Sequence, residues 1–355
     1  MEKFTVILHP DGGRRIIGSH PLLRRLPEKV AQKCLPFMSV QKTGMILDSE
    51  NHENLGCLID VPGFFLNWDK LKAENRCRIL AGIVRSMKRM DASVLCFPWM
   101  HQYLRRDEIL FLENEGIILL DGFYHRLAGM LLLVKQLLAI MAADVPYFEI
   151  GIWGADTDIG QTWVEAIAGQ VNRMCIGGRD LKTLQRLADT MLRTTGLACQ
   201  VTDIPEVCLS DKNITVLAEP AETSYSKLKP SFHFQTIRNS AVSHSRNGAA
   251  ADDIHPDYNI ELAWMAPPQD VEILQELDPW EELGVLDGLF YAVSRVYREE
   301  IRFNIITLEQ IKRLHALYEL YPVKLLGFIR GSRRIHFDRF RREYFKRRQG
   351  IVRIQ

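Results

Sequence analysis

The chain has 355 residues, of which 47% are hydrophobic and 25% charged, with 23 Gly and 15 Pro. This composition is typical of a folded soluble protein and excludes a disordered chain, a collagen and a coiled coil. At about 150 residues per domain, the length predicts two domains. The seven Cys form no CxxC pair and no Cys/His metal spacing. We therefore expect no metal site and a reducing, cytoplasmic location.

The net charge of +1 is unevenly distributed along the chain. Residues 330–355 contain ten Lys or Arg and two acidic residues, whereas the remainder carries 35 basic and 42 acidic residues. A basic tail on an acidic body favours an anionic partner: a membrane surface, an acidic carrier protein or nucleic acid. The aromatic residues of the tail recur at helical spacing, so the alternative is a helix that packs on its own protein. We expect the tail to be separable from the fold.

The first 143 residues alternate short apolar runs with longer helical patterns. The runs FTVIL, GCLIDVP, SVLCFP and GIILLDG predict strands, and residues 68–90 and 105–115 predict helices. The apolar run from Leu127 to Ala143 is short for a membrane span and contains Lys135, which favours a buried helix. This alternation predicts an N-terminal α/β domain over residues 1–143, on the substrate side of the protein.

A β-α-β-α-β pattern follows from Tyr147 to about Pro220 and predicts half of a dinucleotide-binding fold. We therefore predict an α/β fold class in which a Rossmann-like domain with a parallel sheet covers residues 144–285. Within it, the small polar segment 240–257 is expected to be a mobile insertion. Residues 286–328 are expected to be C-terminal helices that pack back, and residues 329–355 form the basic amphipathic tail.

The turn after the first strand of this domain is the predicted phosphate site. Glycine permits the tight turn, and a helix N-terminus presents backbone N–H groups and a positive dipole end to a pyrophosphate. Thr157 stands where a second glycine is usual, so its side chain would either crowd the phosphate or donate to it. The alternative is a turn that packs a helix on a sheet and binds nothing. The predicted contacts in this turn are Gly154, Ala155, Thr157, Asp158, Ile159 and Gly160.

Arg179 follows the next strand, 25 positions after Gly154. An acidic residue there would bind a ribose 2′-OH, whereas an Arg accommodates a 2′-phosphate, so NADP is favoured over NAD. The alternative is a surface Arg beside Asp180, which would cap the next helix. Ala218 ends the fourth strand, where the nicotinamide half of the ligand would pass, and Glu219 beside it is unexpected there.

These segments resemble the cyanobacterial-type long-chain acyl-carrier-protein reductases, whose cofactor domain is similar to that of shikimate dehydrogenases. The similarity is loose, runs in one order over about residues 4–328, and places Gly122 and His125 as in the family's TTGNTH motif. The matching segments are GADTDIG with the family's GATGDIG, CIGGRDLKTLQRLADTM, NITVLAEPA, and IITLEQIKRLHALYELYPVKLLGF. The resemblance implies a two-domain NADPH-dependent reductase that forms a Cys acyl-enzyme and releases an aldehyde.

The family's catalytic Cys has no counterpart here. The corresponding segment is Leu286 to Val293, and no Cys occurs after Cys208. A nucleophile needs a thiolate or an activated hydroxyl, so acyl-enzyme chemistry is not expected. His125 remains the candidate proton donor to a carbonyl, oriented by Asp121; alternatively, His125 is structural and Asp121 only begins a helix.

Two functions follow from these observations. The first is an NADP-binding oxidoreductase that reduces a carbonyl or thioester of a small-molecule or acyl substrate without a Cys acyl-enzyme. The second is a non-catalytic cofactor-sensing or scaffold protein that binds an anionic partner through its basic tail. The absence of the family's Cys and the presence of Thr157 in the glycine turn favour the second function. The βαβ pattern and Arg179 favour the first.

Overall fold

The structure is a computed structural model and describes residues 2–9, 17, 21–65, 68–221, 232–237, 258–301, 305–330 and 333–352. The predicted insertion 240–257 lies outside these residues. The strands within them are β1 (Lys3–Ile7), β2 (Gln41–Asp48), β3 (Asn54–Asp60), β4 (Ala92–Cys96), β5 (Ile118–Leu120), β6 (Glu149–Trp153), β7 (Arg173–Gly177), β8 (Cys199–Thr202), β9 (Ile214–Leu217), β10 (Phe232–Gln235), β11 (Tyr258–Ile260), β12 (Leu262–Ala266), β13 (Val271–Ile273), β14 (Lys324–Arg330) and β15 (Arg333–His336).

The α-helices in the same residues are α1 (Glu28–Cys34), α2 (Ala73–Arg89), α3 (Met100–Tyr103), α4 (Arg106–Asn114), α5 (Phe123–Ile140), α6 (Asp158–Ile167), α7 (Leu181–Thr195), α8 (Pro205–Leu209), α9 (Pro279–Val293), α10 (Arg295–Glu300), α11 (Leu308–Leu320) and α12 (Phe337–Val352). The cap residues explain several of these bounds. The Thr307 hydroxyl accepts a hydrogen bond from the Gln310 N–H at the start of α11, and Gly196 ends α7 in the left-handed region with φ +78°.

The chain divides into two compact units that are each built from separated segments. Unit 1 comprises Met1–His125 and Pro267–Ile301, and unit 2 comprises Arg126–Ala266 and Arg302–Gln355. The predicted boundary after residue 143 is therefore displaced, because the division falls inside the continuous helix α5. The predicted boundaries at 285/286 and 328/329 likewise cut α9 and β14.

Unit 1 contains a mixed sheet with the strand order β13-β2-β3-β1-β4-β5. Strands β3, β1, β4 and β5 run parallel to one another, whereas β2 pairs antiparallel with β3, and β13 pairs antiparallel with β2 at the edge. Helix α9 packs directly on β1, since a Cβ at Gly288 would lie 2.1 Å from the Phe4 ring. Residues near the N-terminus and residues more than 280 positions later thus build one core.

Unit 2 contains a fully parallel sheet with the order β11-β10-β9-β6-β7-β8. Numbered from β6, this order is 3-2-1-4-5-6, which is the order of doubly wound dinucleotide-binding folds. The chain leaves β6 towards β7 and later returns to β9 on the opposite side, so a topological switch point lies at β6. The predicted α/β fold class with a Rossmann-like parallel sheet is confirmed.

The basic tail belongs to unit 2. Strands β12, β14 and β15 form an antiparallel sheet, and α12 follows β15 directly. Phe340 of α12 is 1% exposed, and its ring centroid lies 5.5–5.9 Å from those of Phe232, Tyr258 and Phe328. The Tyr344 hydroxyl donates to the Asp144 carboxylate. The expectation of a separable tail does not hold, because its aromatic residues pack on unit 2.

Helix α5 is the long apolar helix of the sequence. Its length and composition alone match those of a membrane span, yet 72% of its 18 residues are buried inside the protein. A helix that is apolar on all sides is expected in a protein core or in a membrane. Its burial agrees with the buried-helix prediction.

Candidate functional site

The glycine turn, residues 154–160, follows β6 and includes the first residues of α6, at the switch point of the unit 2 sheet. Gly154 has φ +82°, and a Cβ on it would lie 2.8 Å from the backbone nitrogen of Glu219. A Cβ on Gly160 would lie 2.0 Å from the Gly154 carbonyl oxygen. Both positions therefore require glycine, which gives the turn the close approach of helix to strand that a phosphate site needs.

Thr157 is the N-cap of α6. Its hydroxyl donates to the Gly154 carbonyl at 2.6 Å and accepts from the Gly160 N–H at 3.1 Å. The Asp158 carboxylate accepts from the N–H groups of Ile159 at 2.9 Å and Ile306 at 2.8 Å. The hydroxyl of Thr157 thus closes the turn, and Asp158 places a negative charge at the positive end of the helix dipole.

Asp156 occupies the position next to the end of β7. Its Oδ2 accepts hydrogen bonds from the backbone N–H groups of Arg179 and Asp180, both at 2.9 Å. The same carboxylate fills the space above Gly178, whose Cβ would lie 2.0 Å from Asp156 Oδ1. The backbone donors beside the predicted ribose site therefore already bind an anionic side chain.

Arg179 extends its guanidinium into solvent, with 71% of the side chain exposed. Its Nε lies 3.8 Å from Glu219 Oε1. Burial is the main cause that raises the pKa of Glu219, followed by the nearby charge of Asp156, while Arg179 acts in the opposite direction. Asp180 accepts from the N–H groups of Lys182 and Thr183 and so caps α7.

Ala218 joins the end of β9 to this edge of the sheet. It is 4% exposed, and its N–H donates to the Trp153 carbonyl at 2.9 Å. The two strands that flank the switch point are thus tied together where they end. The structure brings Gly154, Ala155, Thr157, Asp158, Ile159, Gly160, Arg179 and Ala218 to this one edge of unit 2.

The backbone of this edge fits a nicotinamide dinucleotide, which the resemblance implies. The glycines let the start of α6 approach the end of β6 closely, and the exposed guanidinium of Arg179 lies at the same edge, 3.8 Å from Glu219. Asp156 disfavours a 2′-phosphate, because its carboxylate occupies the N–H groups of residues 179 and 180 and repels a phosphate there. Its role was not predicted, although two acidic residues within a phosphate-binding turn are a visible signal.

His125 lies in the first turn of α5, in unit 1. It is 0% exposed, and its ring centroid lies 4.9 Å from that of Phe290 and 5.0 Å from that of Tyr297. Burial lowers the pKa of His125 to about 3. The imidazole is therefore neutral at pH 7 and packed among aromatic rings.

Asp121 begins the same helix. Its Oδ1 accepts from the Phe123 N–H at 3.1 Å, and its Oδ2 lies 3.3 Å from His101 Nε2. Asp287 of α9 is 3% exposed; it accepts from the Gly122 N–H at 2.7 Å and from the Tyr297 hydroxyl. Asp287 was missed, although an acidic residue inside an apolar helical run indicates a buried hydrogen-bonded carboxylate.

The metal prediction concerns clusters of His, Cys, Asp and Glu. Across the ranges that the structure describes, no group of three or more such side chains is placed to hold a metal ion.

Comparison with known proteins gives no family. No family model and no curated protein matches the sequence. Among solved structures, L-tryptophan dehydrogenase from Nostoc punctiforme is 10% identical over 89% of this chain and 87% of its own, with a TM-score of 0.34. Shikimate 5-dehydrogenase from Listeria monocytogenes is 11% identical over 89% of this chain and 96% of its own, with a TM-score of 0.28. Quinate dehydrogenase from Corynebacterium glutamicum is 10% identical over 67% of this chain and 80% of its own, with a TM-score of 0.24. At these TM-scores the likeness establishes neither the fold nor the activity of this chain.

Proposed function

We propose that this chain is an NADP-binding protein of the oxidoreductase type. One observation carries the proposal: the parallel sheet of unit 2 has the 3-2-1-4-5-6 order, and the glycine turn lies at its switch point. In folds of this order, dinucleotides bind at the carboxyl ends of the strands, beside that point. The acyl-carrier-protein reductase resemblance supports the same class of reaction.

The chain's own residues would hold the dinucleotide at three points. The glycine turn and the start of α6 lie beside the pyrophosphate, Arg179 pairs with the 2′-phosphate, and Ala218 lies beside the nicotinamide. The bound dinucleotide supplies a hydride. The substrate would be a carbonyl or thioester compound, reduced without a Cys acyl-enzyme because residues 286–293 contain no Cys.

A second candidate is a cofactor-sensing protein without catalysis. The environment of His125 favours it, because burial keeps the imidazole neutral at pH 7, and the N–H of a neutral imidazole is a far weaker acid than an imidazolium. Consumption of NADPH in single-turnover mixtures with a long-chain acyl thioester or aldehyde distinguishes the two. We expect consumption without an acyl adduct on any Cys, whereas tight NADPH binding without consumption would establish the sensing function.

The cofactor preference is tested by fluorescence titration of NADPH and NADH. We expect NADPH to bind more tightly. Arg179→Ala should weaken the binding of NADPH by roughly tenfold or more and leave the binding of NADH nearly unchanged, since a hydrogen bond to a charged group is worth about 1.5–3 kcal/mol. Asp156→Asn should act in the opposite direction and strengthen NADPH, because it removes a negative charge beside the 2′-phosphate.

The matched control is Arg193→Ala. Arg193 is an exposed residue near the other end of α7, roughly 20 Å from Arg179 at 1.5 Å per residue. This variant should bind both cofactors as the wild type does. Equal and very weak binding of NADPH and NADH by the wild type would refute the proposed function.

We further propose that the exposed face of α12 contacts an anionic partner. Arg341, Arg342 and Lys346 are exposed, while Arg339 pairs with Glu343 at 2.8 Å. Replacing Arg341 and Arg342 with Gln should weaken binding to anionic vesicles, acidic carrier protein or nucleic acid, and added salt should weaken the wild type likewise. Salt-insensitive affinity for all three in a sedimentation or polarisation assay would rule out this contact.

A further inference from the structure

Unit 1 contains a pocket of about 170 Å³ against one face of α2. The helix contributes residues at positions 78, 82, 85, 86 and 89, which follow one another at helical spacing and form a single stripe. The opposite wall consists of residues 37–40, which precede β2, and residues 61–63, which follow β3. The apolar side of the same helix, with Ile83 and Met87, is buried in the core.

The pocket lies at the edge of the unit 1 sheet where ligands are expected. β3 runs parallel to β1, and its last residue, Asp60, pairs with Gln41 at the start of β2. Residues 61–63 therefore lie just beyond the carboxyl end of a parallel strand. Open α/β sheets bind ligands at this end of their strands.

The charge of the pocket is uniformly positive. Its described lining residues include Arg78, Arg85 and Arg89 but no Asp or Glu. Arg85 and Arg89 are exposed and have no ion-pair partner among the residues that the structure describes. Like charges along one helix stripe repel each other, so an anion bound among them would be stabilised.

Other basic residues of the same helix are paired. Arg76 Nε lies 2.8 Å from Glu108 Oε1, and Lys88 Nζ lies 2.8 Å from Glu115 Oε2. The helix therefore neutralises the charges that point elsewhere and leaves those at the pocket uncompensated. This contrast distinguishes the pocket from an ordinary basic surface.

The pocket also has an apolar side. Val40, Val61, Pro62 and Ile79 line it, and the exposed ring of Phe37 lies 5.2 Å from the Arg78 guanidinium carbon, within cation–π range. Its volume is close to the ~150 Å³ of a protein cavity that holds a benzene ring. The hydroxyls of Ser39 and Ser86 add two further polar groups.

We propose that this pocket binds a small organic phosphate monoester. The phosphoryl group offers three terminal oxygens and a double negative charge, which match the planar donor forks of Arg85 and Arg89 better than a single carboxylate does. The organic part of the molecule contacts Phe37 and the apolar wall. The site lies within unit 1 and is independent of the proposed dinucleotide site in unit 2.

The experiment is calorimetric titration of the full chain with phenyl phosphate, inorganic phosphate and benzoate. We expect phenyl phosphate to bind most tightly, because only it carries both the phosphoryl group and a ring. Arg85→Gln and Arg89→Gln should each weaken it by at least tenfold, since each removes a charged donor. Gly82→Leu should also weaken it by filling the pocket; a Cβ there meets only Val40 Cγ2, at 3.7 Å, so the first carbon is tolerated.

Lys88→Gln is the matched control, because it removes one positive charge from the same helix outside the pocket. It should change the affinity for phenyl phosphate less than twofold, and NADPH should not displace phenyl phosphate. Equal weakening by Lys88→Gln, equal affinity for all three anions, or no binding of phenyl phosphate at millimolar concentration would overturn the proposal. Binding to phosphatidic acid vesicles without binding of soluble phenyl phosphate would overturn it in favour of a membrane surface.

Discussion

A chain that ends after Arg330 is expected to lose most of the stability of unit 2. The truncation removes β15, which pairs with β14, and exposes the core around the 1% exposed ring of Phe340. Phe340→Ala alone should lower the free energy of unfolding by about 3–5 kcal/mol, the usual cost of a buried aromatic ring. Urea denaturation measures both effects.

Phe345→Ala is the control for this prediction. Phe345 lies five residues further along α12 and is 42% exposed, so its removal should cost less than about 1 kcal/mol. A truncated chain with the same free energy of unfolding as the wild type would show that α12 contributes nothing to the core. It would also restore the sequence-based expectation of a separable tail.

Acidification is expected to destabilise the protein through two buried histidines. Burial lowers the pKa of His125 to about 3 and that of His233 to about 4, against about 6.5 in an unfolded chain. Between these values the unfolded chain binds protons that the folded chain does not, so stability falls as the pH falls below 6.5. From pH 7 to pH 5 the loss should be about 2 kcal/mol for each residue and about 4 kcal/mol for both.

Urea denaturation at several pH values checks this dependence. Between pH 5 and pH 6, His125→Asn should reduce by about one the number of protons that the chain takes up on unfolding, which sets the slope of the free energy of unfolding against pH. His233→Asn should have the same effect independently. Leu131→Ala, at a 0% exposed position of α5, the helix that contains His125, should lower the free energy of unfolding at every pH without altering its slope against pH. An unchanged slope in both histidine variants would mean that neither ring is kept neutral by the fold.

Local sequence pattern predicts the parallel core of unit 2 well. Strands β6 to β9 and helices α6 and α7 each carry a complete signal, with alternating or continuous apolar residues between caps such as Thr157 and Asp180. The glycine turn was identified for the same reason. Its glycines are required by contacts within a few residues and with the end of β9.

The elements that sequence did not predict depend on distant partners. β2 is half-exposed and pairs with β13, more than 200 residues later, and the division of the chain falls inside α5, where composition does not change. Asp287 was missed because its partners, Gly122 and Tyr297, come from two other segments. Side chains that act across such separations leave no periodic signal in their own neighbourhood.

The packing of α9 on β1 also determines when unit 1 can fold during synthesis. Phe4 lies against Gly288, so β1 must wait for residues that the ribosome adds more than 280 positions later. At roughly 10 residues per second, this delay is about half a minute. During that time β3 and β4 can already pair with β1, but the face of β1 that α9 covers stays exposed. Unit 1 is therefore the part of the nascent chain that should recruit a chaperone, and a permuted chain that begins at Pro267 should need less help.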